Sequence, residues 1–339
     1  MNIKFFLYLL CLLTLTACKS GTTKIERLIL SPSSSIQDSL FTQIPGSLIL
    51  CNNYLVWEDP FNPNYFLHVI DINAKKEIGT MGLIGRGPKE FITPLSISSI
   101  GNKIFTYDLN QNKQAYYSID SMLANKDPFI LLPPYPIDDC LDIAQISDNE
   151  FIYIYPQKNK PFQWIHSDTS ISSFGNCPIK EELNSYYEAL QGIIKYNPYN
   201  NKLIYCTRRF PYIALYEKKD TTFYVKWEKT PSQKSYKIEK GNIHFTDNNE
   251  VPSGITMTKD YIIILQQDDD MKLQPIKQTG GIRDFSEVPN TIFVYDYDFN
   301  LKKIINMGMP ILRIEAKGDS NTLYAIGIDL DFCILTYEI

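Results

Sequence analysis

Six times along the chain two runs of β-type residues come as a pair, about a short turn in all but the fifth, where a long insert separates them, and this recurrence limits the fold more than any other feature. The pairs are Tyr54 to Glu58 with Tyr65 to Ile70, Lys103 to Tyr107 with Gln114 to Ile119, and Glu150 to Tyr155 with Pro161 to His166. Lys202 to Thr207 with Tyr212 to Tyr216, Tyr261 to Gln266 with Thr291 to Tyr297, and Thr322 to Gly327 with Phe332 to Tyr337 complete the set. One further apolar run precedes each pair, and another follows most of them. Four strands per unit, repeated every roughly 45–60 residues, is the pattern of propeller blades. Abundant Tyr (23) and Phe (18) suit half-buried pleated surfaces. The fold class is therefore all-β, a six-bladed β-propeller over residues 25–339.

The sixth unit runs out after its third strand, which would leave a bare edge of unpaired backbone groups. Ile25 to Leu30 is the one unassigned apolar run near the start, so it is expected to supply the outer strand of the last blade. In such a ring the turns from inner to second strand lie on one face, here called lower. The outer-to-inner crossings and the second-to-third turns lie on the upper face. The long segments 83–95, 133–141, 175–191, 229–252 and 267–290 all fall on the upper face, which marks it as the expected binding side. A short helix is expected within 181–190.

The N-terminus speaks to location. Lys4, the apolar run Phe5 to Leu13 and then Leu15-Thr16-Ala17-Cys18 resemble a bacterial lipobox, with residues 1–17 as signal peptide. The resemblance implies cleavage before Cys18, lipidation of its thiol and amine, and a tether over 18–24. The membrane is thus an expected partner, through the lipid anchor. Lys19 is neither an aspartate nor part of an acidic cluster, which favours an outer-membrane lipoprotein on the periplasmic leaflet over the cell surface. Of the later cysteines, Cys51, Cys206 and Cys333 read as small buried hydrophobes. A Cys140–Cys177 disulfide is left open, both residues being in loops. The net charge of −5, without a basic stripe, argues against nucleic acid.

The stretch Gly85-Arg86-Gly87-Pro88-Lys89-Glu90-Phe91, behind a lipoprotein signal and inside a six-unit repeat, resembles the TolB-like six-bladed β-propeller lipoproteins of Bacteroidetes-type bacteria. Lys89 stands where such a motif often carries another glycine. The two glycines admit positive φ, Pro88 stiffens the loop, and Phe91 is expected to anchor it in the core. Arg86, Glu90, Trp57, Arg208, Arg209 and Arg283 are the candidate ligand-binding residues, on or beside upper-face connections where cations and aromatic rings can hold a carboxylate, a glycan or a peptide. No catalytic motif occurs: there is no G-x-S-x-G, no H-E-x-x-H, and the histidines His68, His166 and His244 form no pair. Asp268-Asp269-Asp270 lacks calcium-loop spacing, and Asp71, Asp120 and Asp168 read as turn formers. The expected role is binding or scaffolding at the envelope, for a protein partner, peptide, glycan or nutrient fragment, without a cofactor. The alternative is a calcium-dependent, lactonase-like or hydrolase-like propeller enzyme with carboxylates converging in the channel. The apolar inner runs offer few ligands for it.

Overall fold

In all but the fifth repeat the second strand begins with one half-exposed residue and then stays buried, as in Lys103–Asp108, Glu150–Ile154, Lys202–Thr207 and Thr322–Ile328. A strand covered on both faces is mainly apolar, and its side chains alternate between the two covers. In the fourth repeat Leu203 and Tyr205 pack towards the third, whereas Ile204 and Cys206 pack towards the fifth. In the fifth, Ile262 and Ile264 face the fourth while Ile263 and Leu265 face the sixth. Each sheet is thus sandwiched between two others.

The computed structural model describes residues 25–108, 110–137, 139–167, 169–230, 235–246, 251–268, 285 and 287–339, without the side chains of 95–97. It is a ring of six blades, each with four antiparallel strands. The inner strands are Leu48–Cys51, Pro94–Ile100, Ile143–Ser147, Gly192–Asn197, Gly254–Met257 and Ile311–Ala316. Each touches the next, and the last touches the first, so they enclose a central channel. Six hydrophobic clusters lie between adjacent blades, one at each junction. Among the described residues no helix is long and apolar enough to cross a membrane.

The N-terminal segment closes the ring, but not with the strand expected. Glu26–Ile29 pairs in parallel with Leu301–Asn306, adding a fifth strand to blade five. The outer strand of blade six is Ser34–Leu40, antiparallel to Phe332–Glu338. The sequence explains the displacement. Leu28 and Leu30 pack against the core between blades five and six, which draws the first run to the fifth blade. Ile36 and Leu40, 4% and 5% exposed, enter the core between blades six and one. Their strand is serine-rich and bulged at two points, so it reads as loop.

Smaller departures have local causes. The third strand of blade two stops at Ser118, whose hydroxyl accepts from the Ser121 N–H and starts a helix, Ile119–Leu123, instead of carrying the strand through Ile119. Within 181–190 the expected helix is a single turn, Tyr187–Leu190. The crossing 229–252 contains a β-hairpin, Tyr236–Glu239 with Asn242–Phe245, turned by Lys240 and Gly241 at φ 50° and 78°. All five described cysteines are free. Cys140 belongs to the core between blades two and three and Cys177 leans on that between three and four, so the two thiols serve different junctions and form no disulfide. Burial pushes the Cys51 and Cys206 thiols up to about 12, which leaves them as inert core groups.

Candidate functional site

The inner strands read as apolar, yet three of the channel's charges stand on them. Lys195 lies on the inner strand of blade four, and Arg313 and Glu315 lie on that of blade six. Alternation along a strand sends every second side chain to one side, and on an inner strand this includes the channel. Lys195 Nζ and Glu315 Oε2 meet at 2.7 Å. The pair reaches past blade five, whose Thr256 hydroxyl accepts from the Ala316 N–H at 3.2 Å. Burial pulls the Lys195 ammonium down, but Glu315 and Asp142 more than offset it and hold it above its ordinary value.

Lys195 lines a cavity on either side. The lower one, ≈610 Å³, is framed by inner-to-second turns, with Asn52, Asn53, Asn102 and Tyr199 among its walls and Glu315 beside Lys195. These turns support one another: Asn52 donates to Asn102 (2.9 Å), and Asn102 donates to Asp120 (2.8 Å). Asn197 is buried and ties its turn to the carbonyl of Gly318 at 3.2 Å, while Tyr199 beside it is 65% exposed. The upper cavity, ≈290 Å³, is lined by Glu58, Asp142, Lys195, Arg208 and Arg313 and by aliphatic inner-strand residues.

Of the residues singled out from sequence, Arg208 reaches the channel. Trp57 is 2% exposed and stacks on His68 at 4.2 Å, inside the junction of blades six and one. Arg209 lies over the Phe245 ring at 5.1 Å and fastens the hairpin. Glu90 accepts from the Gly87 N–H at 2.7 Å and so closes its own loop. Arg86 is exposed at the rim of blade one, on the loop after the strand Lys76–Ile84. Arg283, Cys18 with its tether, Asp168, Asp269 and Asp270 lie outside the described residues. Asp268 pairs with Arg27 at 3.2 Å. Asp71 forms its expected turn, accepting from Asn73 and Ala74 N–H groups at 2.8 and 2.9 Å.

The Gly85 to Phe91 loop is held by the next blade. Lys113 donates to the carbonyls of Gly87 (2.9 Å) and Glu90 (2.6 Å) and lies 5.5 Å from the centroid of Phe91. Gln111 reaches the Gly85 carbonyl at 3.1 Å. Phe91 is fully buried, edge-on to Phe66. Sequence reasoning missed Lys195, Glu315 and Arg313 because single charges inside apolar runs look like interruptions. The asparagines recurring in the tight lower turns were the available signal for the lower cavity.

Among the described residues no three of His, Cys, Asp and Glu converge as metal ligands. The channel carboxylates instead face cations: Glu315 meets Lys195, Asp142 feels Lys195 and Arg208, and Glu58 feels Arg313.

Comparison with known proteins agrees with the blade count. No curated protein matches the chain. Among solved structures, a member of the duf4221 family from Bacteroides vulgatus ATCC 8482 superposes with a TM-score of 0.55 at 10% identity, covering 91% of this chain and 97% of that one. A protein described as exported from Bacteroides fragilis NCTC 9343 gives 0.52 at 13% identity, covering 92% and 98%. The calcium-binding protein regucalcin from Agrobacterium tumefaciens strain C58 gives 0.52 at 8% identity, covering 93% and 96%. At these identities the likeness is one of fold. The model of the TolB-like 6-blade propeller-like family matches residues 28–317, most of the ring, and with six blades around a closed channel the chain belongs to the TolB-like six-bladed propeller family.

Proposed function

We propose that the protein is a binding propeller of the cell envelope, anchored by lipid at Cys18, that takes a polar nutrient fragment, a glycan in the first place, in its lower cavity. The observation that carries this reading is the cavity of ≈610 Å³ lined by Asn52, Asn53, Asn102 and Tyr199, with the Lys195–Glu315 pair at its inner end. Ligand pockets span about 300–1,000 Å³ and use a few fixed polar groups for orientation. Side-chain amides offer donors and acceptors to hydroxyl groups, and the exposed Tyr199 ring offers a flat apolar face with a polar tip. The lipobox supports the anchor, and the likeness to a protein described as exported from Bacteroides fragilis accords with an envelope location.

A thermal-shift screen of the mature protein against oligosaccharides and envelope peptides tests the binding role. A ligand at one hundred times its dissociation constant stabilises by about 2.7 kcal/mol. A glycan shift that disappears in Tyr199→Ala supports the reading. A screen in which no fragment shifts the protein, or a shift that Tyr199→Ala leaves intact, removes it. Cys18→Ser is expected to abolish labelling by a fatty-acid analogue, and protease treatment of intact cells is expected to spare the wild-type protein on the periplasmic leaflet.

A further inference from the structure

The upper cavity holds two guanidinium groups, and among the described residues no carboxylate is hydrogen-bonded to either. Arg313 spends three of its donors on carbonyls, those of Gly46 (2.8 Å), Leu312 (2.8 Å) and Pro45 (3.4 Å), which orient the group without neutralising it. Arg208 is held through its backbone, whose N–H donates to the Gln191 carbonyl at 2.8 Å. Its guanidinium is exposed in the cavity and makes no hydrogen bond among the described residues. The two cations feel each other: burial, and then the charge of Arg208, pull Arg313 below its ordinary value.

The acids nearby are already engaged. Asp142 accepts from the Ile194 N–H at 2.9 Å, and burial pushes its carboxyl up despite that bond and the charges of Lys195 and Arg208. Glu58 accepts from the Ser47 N–H at 3.2 Å, and Glu315 is matched to Lys195. The Arg208 fork is therefore the unfilled element of the charge pattern. A guanidinium fork matches a carboxylate bidentately. Beside Ser47 and Ser253, the rest of the wall is mainly aliphatic, from Leu48, Ile193, Ile255 and Leu312, and suits a short hydrocarbon tail. Glu58 and Asp142 beside the fork oppose a second negative charge, which disfavours phosphate.

We infer that the upper end of the channel is a second binding site, which takes a short aliphatic monocarboxylate with its charge on Arg208 and Arg313 and its tail against the inner strands. It is distinct from the glycan site, because among the described residues Lys195 is the one that the two linings share and Glu315 lines only the lower cavity.

The test is a titration of the mature protein with sodium butyrate, followed by thermal shift at constant ionic strength, with sodium chloride and sodium phosphate as controls. Butyrate is expected to stabilise saturably and chloride is not. Arg208→Gln is expected to weaken butyrate at least tenfold, and Arg208→Lys to weaken it less. Glu58→Gln, which removes an opposing charge, is expected to tighten butyrate several-fold, and this variant keeps the test decisive if Arg208→Gln does not fold. Tyr199→Ala is expected to leave the titration unchanged, which separates this site from the lower one. Equal shifts with chloride, tighter binding of phosphate, wild-type binding by Arg208→Gln, or unchanged or weaker binding by Glu58→Gln would each overturn the assignment.

Discussion

Lys195 and Glu315 show how a single charge pair on inner strands can divide a channel. Their side chains are 30% and 15% exposed, so the pair lies between a screened surface contact and a buried one. Exposed pairs contribute up to about 1 kcal/mol, and breaking a fully buried pair costs about 3–5 kcal/mol. Glu315→Gln is therefore expected to destabilise by about 1–2 kcal/mol in urea titration at pH 7, an intermediate value. Because the folded protein holds the Lys195 ammonium above its ordinary value, its contribution is complete below the unfolded value of about 10.4. It is lost as pH rises through the higher folded value, so the penalty of Glu315→Gln should shrink as the pH climbs beyond the ordinary lysine range. Asp142 has the same direction with the opposite consequence at neutral pH. Its carboxyl is raised in the fold by burial, so ionisation costs stability once pH passes the ordinary aspartate range. Asp142→Asn can keep the bond to the Ile194 N–H, and it is expected to raise the melting temperature at pH 7 and to match wild type near pH 3; equal gains at both pH values would contradict this account. Arg208 was legible in sequence because it follows a strong strand. Lys195, Arg313 and Glu315 were not, because the direction in which an inner strand faces the channel depends on the closed ring.

At the scale of elements, the Gly85 to Phe91 loop was legible as a rigid crossing and illegible as a clamp. Phe91 anchors it as expected. What holds it, however, is Lys113 and Gln111 from the second-to-third turn of blade two, more than twenty residues further along the chain. Gly85, at φ +150°, also leaves room that the Glu90 carboxylate occupies, so a side chain there would meet it directly. A lysine that satisfies two carbonyls through charged hydrogen bonds contributes more than a neutral donor, about 1.5–3 kcal/mol for each such bond at most. Lys113→Met keeps the apolar contact with Phe91 and removes both bonds. It is expected to cost about 2 kcal/mol in chemical denaturation, and to open the loop to protease cleavage before the ring unfolds. A variant with the wild-type midpoint would show that water replaces the ammonium without loss. The hairpin within 229–252 was missed for a related reason. Its strands are only four residues each, and they are ordered by Phe210 and Asn184 of another segment, through a stacked Phe210–Phe245 pair and Asn184 bonds to the turn.

For the whole molecule the decisive event is closure. Blade repetition was readable because every second strand is covered on both faces and hence mainly apolar in its middle, and the same repetition showed that one strand had to come from the N-terminus. Which strand it was could not be read, since Ser34–Leu40 buries only Ile36 and Leu40, whereas Glu26–Ile29 looked the stronger strand and serves blade five. The two attachments should differ in energetic weight. Leu28 is half-buried on an added parallel strand, and Leu28→Ala is expected to cost about 1 kcal/mol by lost burial. Ile36 is buried at the junction that joins the first and last blades, and Ile36→Ala is expected to cost about 2–5 kcal/mol. Ile36→Asp places a charge in that core and should release the strand, exposing the edge Phe332–Glu338 to solvent. Calorimetry distinguishes the two consequences. With Leu28→Ala the ring keeps a single transition at slightly lower temperature, because blades six and one remain joined. With Ile36→Asp the blades next to the opening lose their mutual cover, so the transition should broaden or split and the protein should self-associate through the bare edge. If both variants melted alike in one sharp transition, closure would be shared equally between the two strands, and blade five's extra strand would have to be counted as part of the ring's fastening.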